Sequence, residues 1–211
     1  MAVFEYIVIL IFSVIIHEVA HGYAAHLRGD DTAKIAGRIT LNPISHIELF
    51  GSILLPIMLL LLKAPILFGW ARPVPLNYKN LKNPRVDIPL VSLAGPASNM
   101  LLAFLSGLGI RLIKAFPNFE IGFGWSIKSF LYAMLIVNIV LVIINLIPIP
   151  PFDGSKIVMY FLPEKIAVKY LSLDPYICLI MLFVILSSEI IWGFIYPVIN
   201  LFVMAFSGAT F

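Results

Sequence analysis

Long runs of apolar residues dominate the pattern of the chain, and six stand out: Phe4–Leu27, Phe50–Phe68, Ile88–Ile113, Ile127–Ile147, Pro175–Glu189 and Gly193–Phe206. At about 20 residues per membrane-spanning helix, five are long enough to matter and a sixth follows at the end. The last two form one run too long for a single crossing. Ser187-Ser188-Glu189 and Gly193 predict a break there, after which the tail returns through the membrane or lies on its surface. Between the first two runs the period changes: Ile35, Ile39 and Leu41 share one face while Lys34, Arg38 and Thr40 share the other. That alternation predicts a short β element over Ala33–Leu41, with a polar connecting loop as the alternative. Its exposed edge would be open to strand addition by an extended peptide.

The N-terminal run reads as a retained span. No Lys or Arg precedes it, Glu5 has the wrong sign for a signal peptide, and the apolar stretch continues to Leu27 without a small-residue cleavage site. With no internal repeat and no low-complexity linker, residues 1–211 are expected to form one membrane domain, with a core over 3–162 and hydrophobic C-terminal helices within 175–207.

Composition agrees. Of 211 residues 61% are hydrophobic and 12% charged, against about 45–50% and about 25% in soluble domains. This excludes a secreted disulfide scaffold, a disordered regulator and a nucleic-acid binder. The net charge of +3 comes from 14 basic and 11 acidic side chains, too few for a polyanion-binding face, so their placement reports topology instead. Cys178 is the only cysteine, which leaves no intrachain disulfide or CxxC metal site.

The candidate chemistry begins at His17-Glu18-Val19-Ala20-His21. Histidines at i and i+4 project from one helical face about 5–6 Å apart, a separation from which both rings can reach one Zn²⁺ at about 2.0–2.1 Å. Glu18 then lies beside the metal, placed to take a proton from water. Chance occurrence is the rival reading, but an ionisable residue at the centre of a span costs about 2.5–3.5 kcal/mol, and this helix carries three within five positions. A catalytic zinc site normally takes three protein ligands. The third candidate is Asp153, in Asn145-Leu146-Ile147-Pro148-Ile149-Pro150-Pro151-Phe152-Asp153-Gly154. The prolines must break the preceding helix and leave extended backbone at membrane depth, tolerated only where it is buried in protein or lines a cavity. Asp153 would serve as ligand, as N-cap of a helix starting near Gly154, or as both.

Together with Ala94-Gly95-Pro96-Ala97-Ser98-Asn99, these segments resemble the site-2 proteases, intramembrane zinc metalloproteases, with three motifs in the family's order from about Val3 to Leu162. The stretches Gly37 to Gly51 and Gly69-Trp70-Ala71-Arg72-Pro73-Val74-Pro75 look like a compact prokaryotic branch, without an inserted PDZ domain or a CBS domain. The resemblance implies that His17, His21 and Asp153 hold zinc, that Glu18 is the catalytic base and that Asn145 sits beside the scissile carbonyl. It further implies a membrane-protein substrate, cleaved within the lipid bilayer in or next to its spanning segment, and a multi-pass protein of the prokaryotic inner membrane.

Topology supplies an independent check. If Phe50–Phe68 crosses, six basic residues fall inside and eight outside; if it enters and leaves on one side, eleven fall inside and three outside. The second arrangement obeys the positive-inside rule. It makes the first and fourth runs parallel and brings Asp153 toward the histidines in the cytoplasmic half of the membrane. The expectation is therefore an all-α polytopic membrane protein of four to six transmembrane helices, with a short β element and a re-entrant hairpin. Among other polar residues, Asn99 serves helix packing or a hydrogen bond near the site, Asn138 a packing hydrogen bond, and His46 the site, its gate or only its loop. His26, Asp30 and Asp31 read as interfacial or surface groups, with Gly29 as a helix stop. A metal transporter, a non-catalytic scaffold, and a metalloprotease using Glu164 or Glu189 as third ligand are the rival readings.

Overall fold

Every fourth residue of the first apolar run turns inward. Helix α1 (Ala2–Leu27) buries Ile9, Ser13, His17, His21 and Ala25, while Phe4, Tyr6, Ile7, Leu10, Ile11 and Phe12 are exposed on its other faces. An i, i+4 stripe is one helical face, and the apolar remainder suits lipid. The coordinates are a computed structural model that describes residues 2–48, 72–116, 127–174 and 188–208, with isolated positions 51, 54, 57, 58, 61 and 177. α1 stops at Gly29, whose φ of 105° is a left-handed conformation that glycine adopts without penalty. The turn is closed by Gly29 N–H to the His26 carbonyl at 3.1 Å and Asp30 N–H to the Ala25 carbonyl at 2.9 Å.

The expected β element is replaced by a helical turn. Residues Thr32–Ile35 form the short helix α2, and no strand occurs among the described residues. Ala33 is fully buried, and Ile35 and Leu41, which the alternating pattern placed on a common face, are 85% and 59% exposed. Gly37 at φ 65° ends the turn, with Arg38 N–H bonded to the Ala33 carbonyl at 2.9 Å. A glycine stop after four residues outweighs a two-residue period sampled only a few times. The strand edge that would have paired with substrate is thus absent; residues 72–77 form an irregular segment in which Pro73 and Pro75 favour extended backbone at the residues before them and Asn77 is extended.

Five further α-helices follow among the described residues: α3 (Pro84–Ala115), α4 (Ile127–Asn145), the short α5 (Asp153–Val158) and α6 (Glu164–Leu171), and the C-terminal α7 (Glu189–Ser207). α3 turns a stripe of mostly small residues inward, with Val91, Gly95, Asn99, Ala103, Gly107 and Ile110 all buried, and small residues allow close helix approach in a membrane. Ala103 and Ile110 join Leu135 and Ile139 of α4 and Ile199 and Val203 of α7 in one core cluster. Ile9 packs with Ala133 and Met134, and farther along both chains Ser13 meets Asn138, so α1 and α4 run in the same direction. α3 runs against them: Arg28 at the end of α1 bonds Asp87 in the first turn of α3 at 3.3 Å. α7 is parallel to α3. Its last carbonyls, Phe206 and Ser207, accept from Arg111 Nε at 2.8 Å and Lys114 Nζ at 3.3 Å, which supplies partners that a helix C-terminus otherwise lacks.

Three described helices are long and apolar enough to cross a membrane: Phe4–Leu27, Pro84–Ala115 and Ile127–Asn145. α7 adds a shorter apolar stretch, Trp192–Ser207. The expected Phe50–Phe68 hairpin and most of Pro175–Glu189 lie outside the described residues. On either side of the first of these segments, Arg72 N–H donates to the His46 carbonyl at 2.9 Å.

Asp30, read from sequence as a surface charge, is fully buried. Its carboxylate accepts from Thr32 N–H at 3.1 Å, Asn77 N–H at 2.7 Å and Asn80 Nδ2 at 2.9 Å, tying the end of α1 to α2 and to the extended segment. Burial pushes this carboxyl up, but the hydrogen bonds from Thr32, Asn77 and Asn80 outweigh it and hold Asp30 below its ordinary value. Its stabilisation is therefore complete above about pH 4, the unfolded carboxyl's pKa, and is lost as pH falls through the lower native value. Asp30→Asn is expected to cost about 1.5–3 kcal/mol at neutral pH and to flatten the acid limb of thermal stability. Unfolding in detergent from about pH 3 to about pH 7 checks both.

Candidate metal centre

Three elements far apart in sequence meet at one point. α1 supplies His17 and His21, one turn apart on its buried stripe, and Asp153 comes from the first residue of α5, just beyond the proline-broken end of α4. Tyr170 Oη bonds the Pro148 carbonyl at 2.5 Å, and the Pro150–Pro151 peptide is cis. Gly154 lets the loop fold back on itself: a Cβ there would lie 2.3 Å from the Leu146 carbonyl oxygen. The result places Asp153 Oδ2 3.1 Å from His17 Nε2 and 3.1 Å from His21 Nε2, with the two Nε2 atoms 3.0 Å apart. All three residues are buried. Glu164 and Glu189, the rival third ligands, do not join this group among the described residues.

Hydrogen bonds behind the rings set what those nitrogens are. His17 Nδ1 lies 2.6 Å from Asn99 Oδ1 and His21 Nδ1 lies 2.7 Å from the Val91 carbonyl. Both partners are acceptors, so each Nδ1 carries the proton and each Nε2 presents a lone pair. Asn99 is itself fixed, its Nδ2 donating to Asn138 Oδ1 at 2.8 Å and to the Ser13 carbonyl at 3.2 Å. Asn138 Nδ2 in turn donates to Ser13 Oγ at 2.9 Å. Three acceptors, two lone pairs and a carboxylate oxygen, thus face one another about 3 Å apart inside the protein. Such an arrangement is repulsive without a shared cation. Two ligands about 2.0–2.1 Å from a tetrahedral zinc lie about 3.3 Å apart, so the observed spacing fits. Gly95 keeps the spot clear: a Cβ at this position would sit 2.4 Å from His21 Nε2 and 2.5 Å from His17 Nε2.

A cavity of about 300 Å³ opens at the triad, lined also by Glu18, Asn145, Val74, Tyr78 and Lys156. Glu18 Oε2 accepts from Val74 N–H at 2.8 Å. Val74 stands between two prolines, so its N–H is the sole backbone donor of residues 73–75. Arg38 secures this strap from the other side, donating from Nη2 to the Arg72 carbonyl at 2.8 Å. Asn145 reaches the cavity wall, with its Nδ2 bonded to the Leu141 carbonyl at 2.9 Å. His46 is away from the cavity, buried in the Pro43–His46 turn with Nε2 2.8 Å from the Thr40 carbonyl. His26 pairs with Asp31.

Sequence reasoning left Asn99 open between packing and the site; it touches His17. Ser13, Val74 and Lys156 carry no site role in the sequence reading. Ser13 was recoverable from its place four residues before His17, and Lys156 from its place three after Asp153. Nothing in the side chain of Val74 signals what its backbone does.

A membrane bundle with a buried His-His-Asp acceptor set, and a carboxylate beside it on a cavity of about 300 Å³, has the architecture of a membrane metallopeptidase. Comparison with known proteins agrees. Residues 113–188 match Peptidase family M50. The chain is 38% identical over 205 residues, 95% of its length and 88% of the relative's, to "Putative zinc metalloprotease YwhC" of Bacillus subtilis. It is 31% identical over 144 residues, 68% of its length and 52% of the relative's, to "Putative zinc metalloprotease Rip2" of Mycolicibacterium smegmatis. No solved structure matches. The chain belongs to peptidase family M50, the site-2 proteases, and is a metalloendopeptidase of that family.

Proposed function

We propose that the protein is a zinc-dependent intramembrane endopeptidase, cleaving a membrane-protein substrate in or next to its spanning segment from the cytoplasmic half of a prokaryotic inner membrane. The observation that carries this reading is the set of three buried acceptors facing one another at 3.0–3.1 Å. Depth supports it: His17 lies ten residues before Leu27, about 15 Å along the helix axis, near the middle of a hydrocarbon core about 30 Å thick. Orientation is supported by charge, since Arg28, Lys34, Arg38, Arg72, Lys79, Lys82 and Arg85 gather at one end of the bundle and Arg111, Lys114 and Lys128 at the other.

His17, His21 and Asp153 would hold the zinc, which supplies a Lewis acid and lowers the pKa of bound water toward about 7. Glu18 takes a proton from water in the cavity and returns it to the leaving amine, its carboxylate oriented by the Val74 N–H. Asn145 Nδ2 carries two hydrogens; one is engaged with Leu141 and the other is available to a developing oxyanion. The cavity, walled partly by extended backbone, admits water to a site at membrane depth.

The test is reconstitution with a single-span substrate. Asp153→Asn is expected to lose stoichiometric zinc and with it cleavage. Full zinc occupancy and activity in that variant would sink the ligand assignment.

A further inference from the structure

The two oxygens of Asp153 have different partners. Oδ2 faces both histidines at 3.1 Å, and Oδ1 lies 3.3 Å from Lys156 Nζ. Lys156 sits three residues along the same short helix, so its ammonium reaches back over the first turn. It lines the cavity wall with its side chain 27% exposed, against 7% for the carboxylate. Tyr78 lines the same cavity.

A carboxylate with both oxygens at liberty can turn about Cβ–Cγ and meet an ion through either oxygen or through both. An ammonium on Oδ1 removes that freedom and leaves Oδ2 aimed between the histidines. The lysine's charge acts in the opposite sense, repelling a nearby divalent cation, but that repulsion is screened by cavity water, whereas the hydrogen bond is direct. Groups that orient metal ligands in this way commonly contribute 10–100-fold in metal affinity; an i, i+3 ion pair serving only the helix contributes little and nothing to metal binding.

We propose that Lys156 is a positioning residue for Asp153, holding the carboxylate so that Oδ2 alone meets the metal and thereby setting zinc affinity. This rests on Asp153 being a zinc ligand. The full-length chain, stripped of metal in detergent, is titrated with Zn²⁺ against a chromophoric chelator, and its metal-free thermal unfolding is recorded. Lys156→Met is expected to bind zinc 10–100-fold more weakly with metal-free unfolding unchanged, and Lys156→Arg to restore wild-type affinity. Unchanged or tighter zinc binding in Lys156→Met overturns the proposal, as does an arginine variant that fails to restore it. Asp153→Asn in the same titration separates the two levels. If it binds as tightly as wild type, the ligand assignment has failed; if it alone is weakened, the role of Lys156 has.

Discussion

Glu18→Gln is expected to lower the rate constant for peptide cleavage by about 10²–10⁴-fold while zinc affinity and thermal stability stay at the wild-type level. Glutamine keeps the shape of the side chain, and its amide oxygen still accepts the Val74 N–H that Oε2 accepts at 2.8 Å. What it loses is the capacity to carry a proton from water to the leaving amine. Because Glu18 stands outside the His-His-Asp acceptor set, metal binding has no reason to change. Single-turnover cleavage of a reconstituted single-span substrate, with zinc measured on the same preparation, reads both quantities. Retained cleavage with retained zinc would show that Glu18 is not the base, and loss of both cleavage and zinc would point to a structural role for Glu18.

Gly95→Ala is expected to abolish zinc binding. In a helix this exchange is ordinarily favourable by about 1 kcal/mol, since alanine costs less backbone entropy. Here the new methyl would lie 2.4 Å and 2.5 Å from the two Nε2 atoms that face Asp153 Oδ2, well inside contact distance. α3 cannot retreat, because Pro96, Asn99 and Ala103 on the same face are fully buried. The imidazoles would have to swing away, surrendering their bonds to Asn99 and the Val91 carbonyl. Zinc content of the purified variant decides the matter, and stoichiometric zinc in Gly95→Ala would show that the metal sits elsewhere.

The four ionisable groups at the site were legible in the sequence because each breaks a strong rule. His17, Glu18 and His21 put charge-bearing side chains in a span at a fixed helical spacing, and Asp153 follows prolines that no transmembrane helix tolerates lightly. The parallel course of α1 and α4 was legible as well, through the positions of lysines and arginines. What could not be read is whatever depends on two elements meeting. Gly95 resembles any small residue of a membrane helix until α1 is laid across it, and Val74 acts through a backbone group that every residue but proline has. The burial of Asp30 is not legible because two of its four donors, from residues 77 and 80, arrive from a segment with no periodicity to announce it. The β element was misjudged because alternation over so few positions was given more weight than Gly37.

The acceptor set joins residues 136 positions apart in the chain. With zinc on those atoms the ion is also a fastener, closing a loop that takes in the last part of α1 and the whole of α2, α3 and α4. Closing so long a loop restricts the unfolded chain more than closing a short one, and an ion that binds only the folded form stabilises it by about 2.7 kcal/mol at a hundredfold excess over its Kd. Metal supply would then govern how long the protein persists in the membrane as well as how fast it works, and an enzyme starved of zinc would become a better target for quality-control proteolysis than the same enzyme at rest.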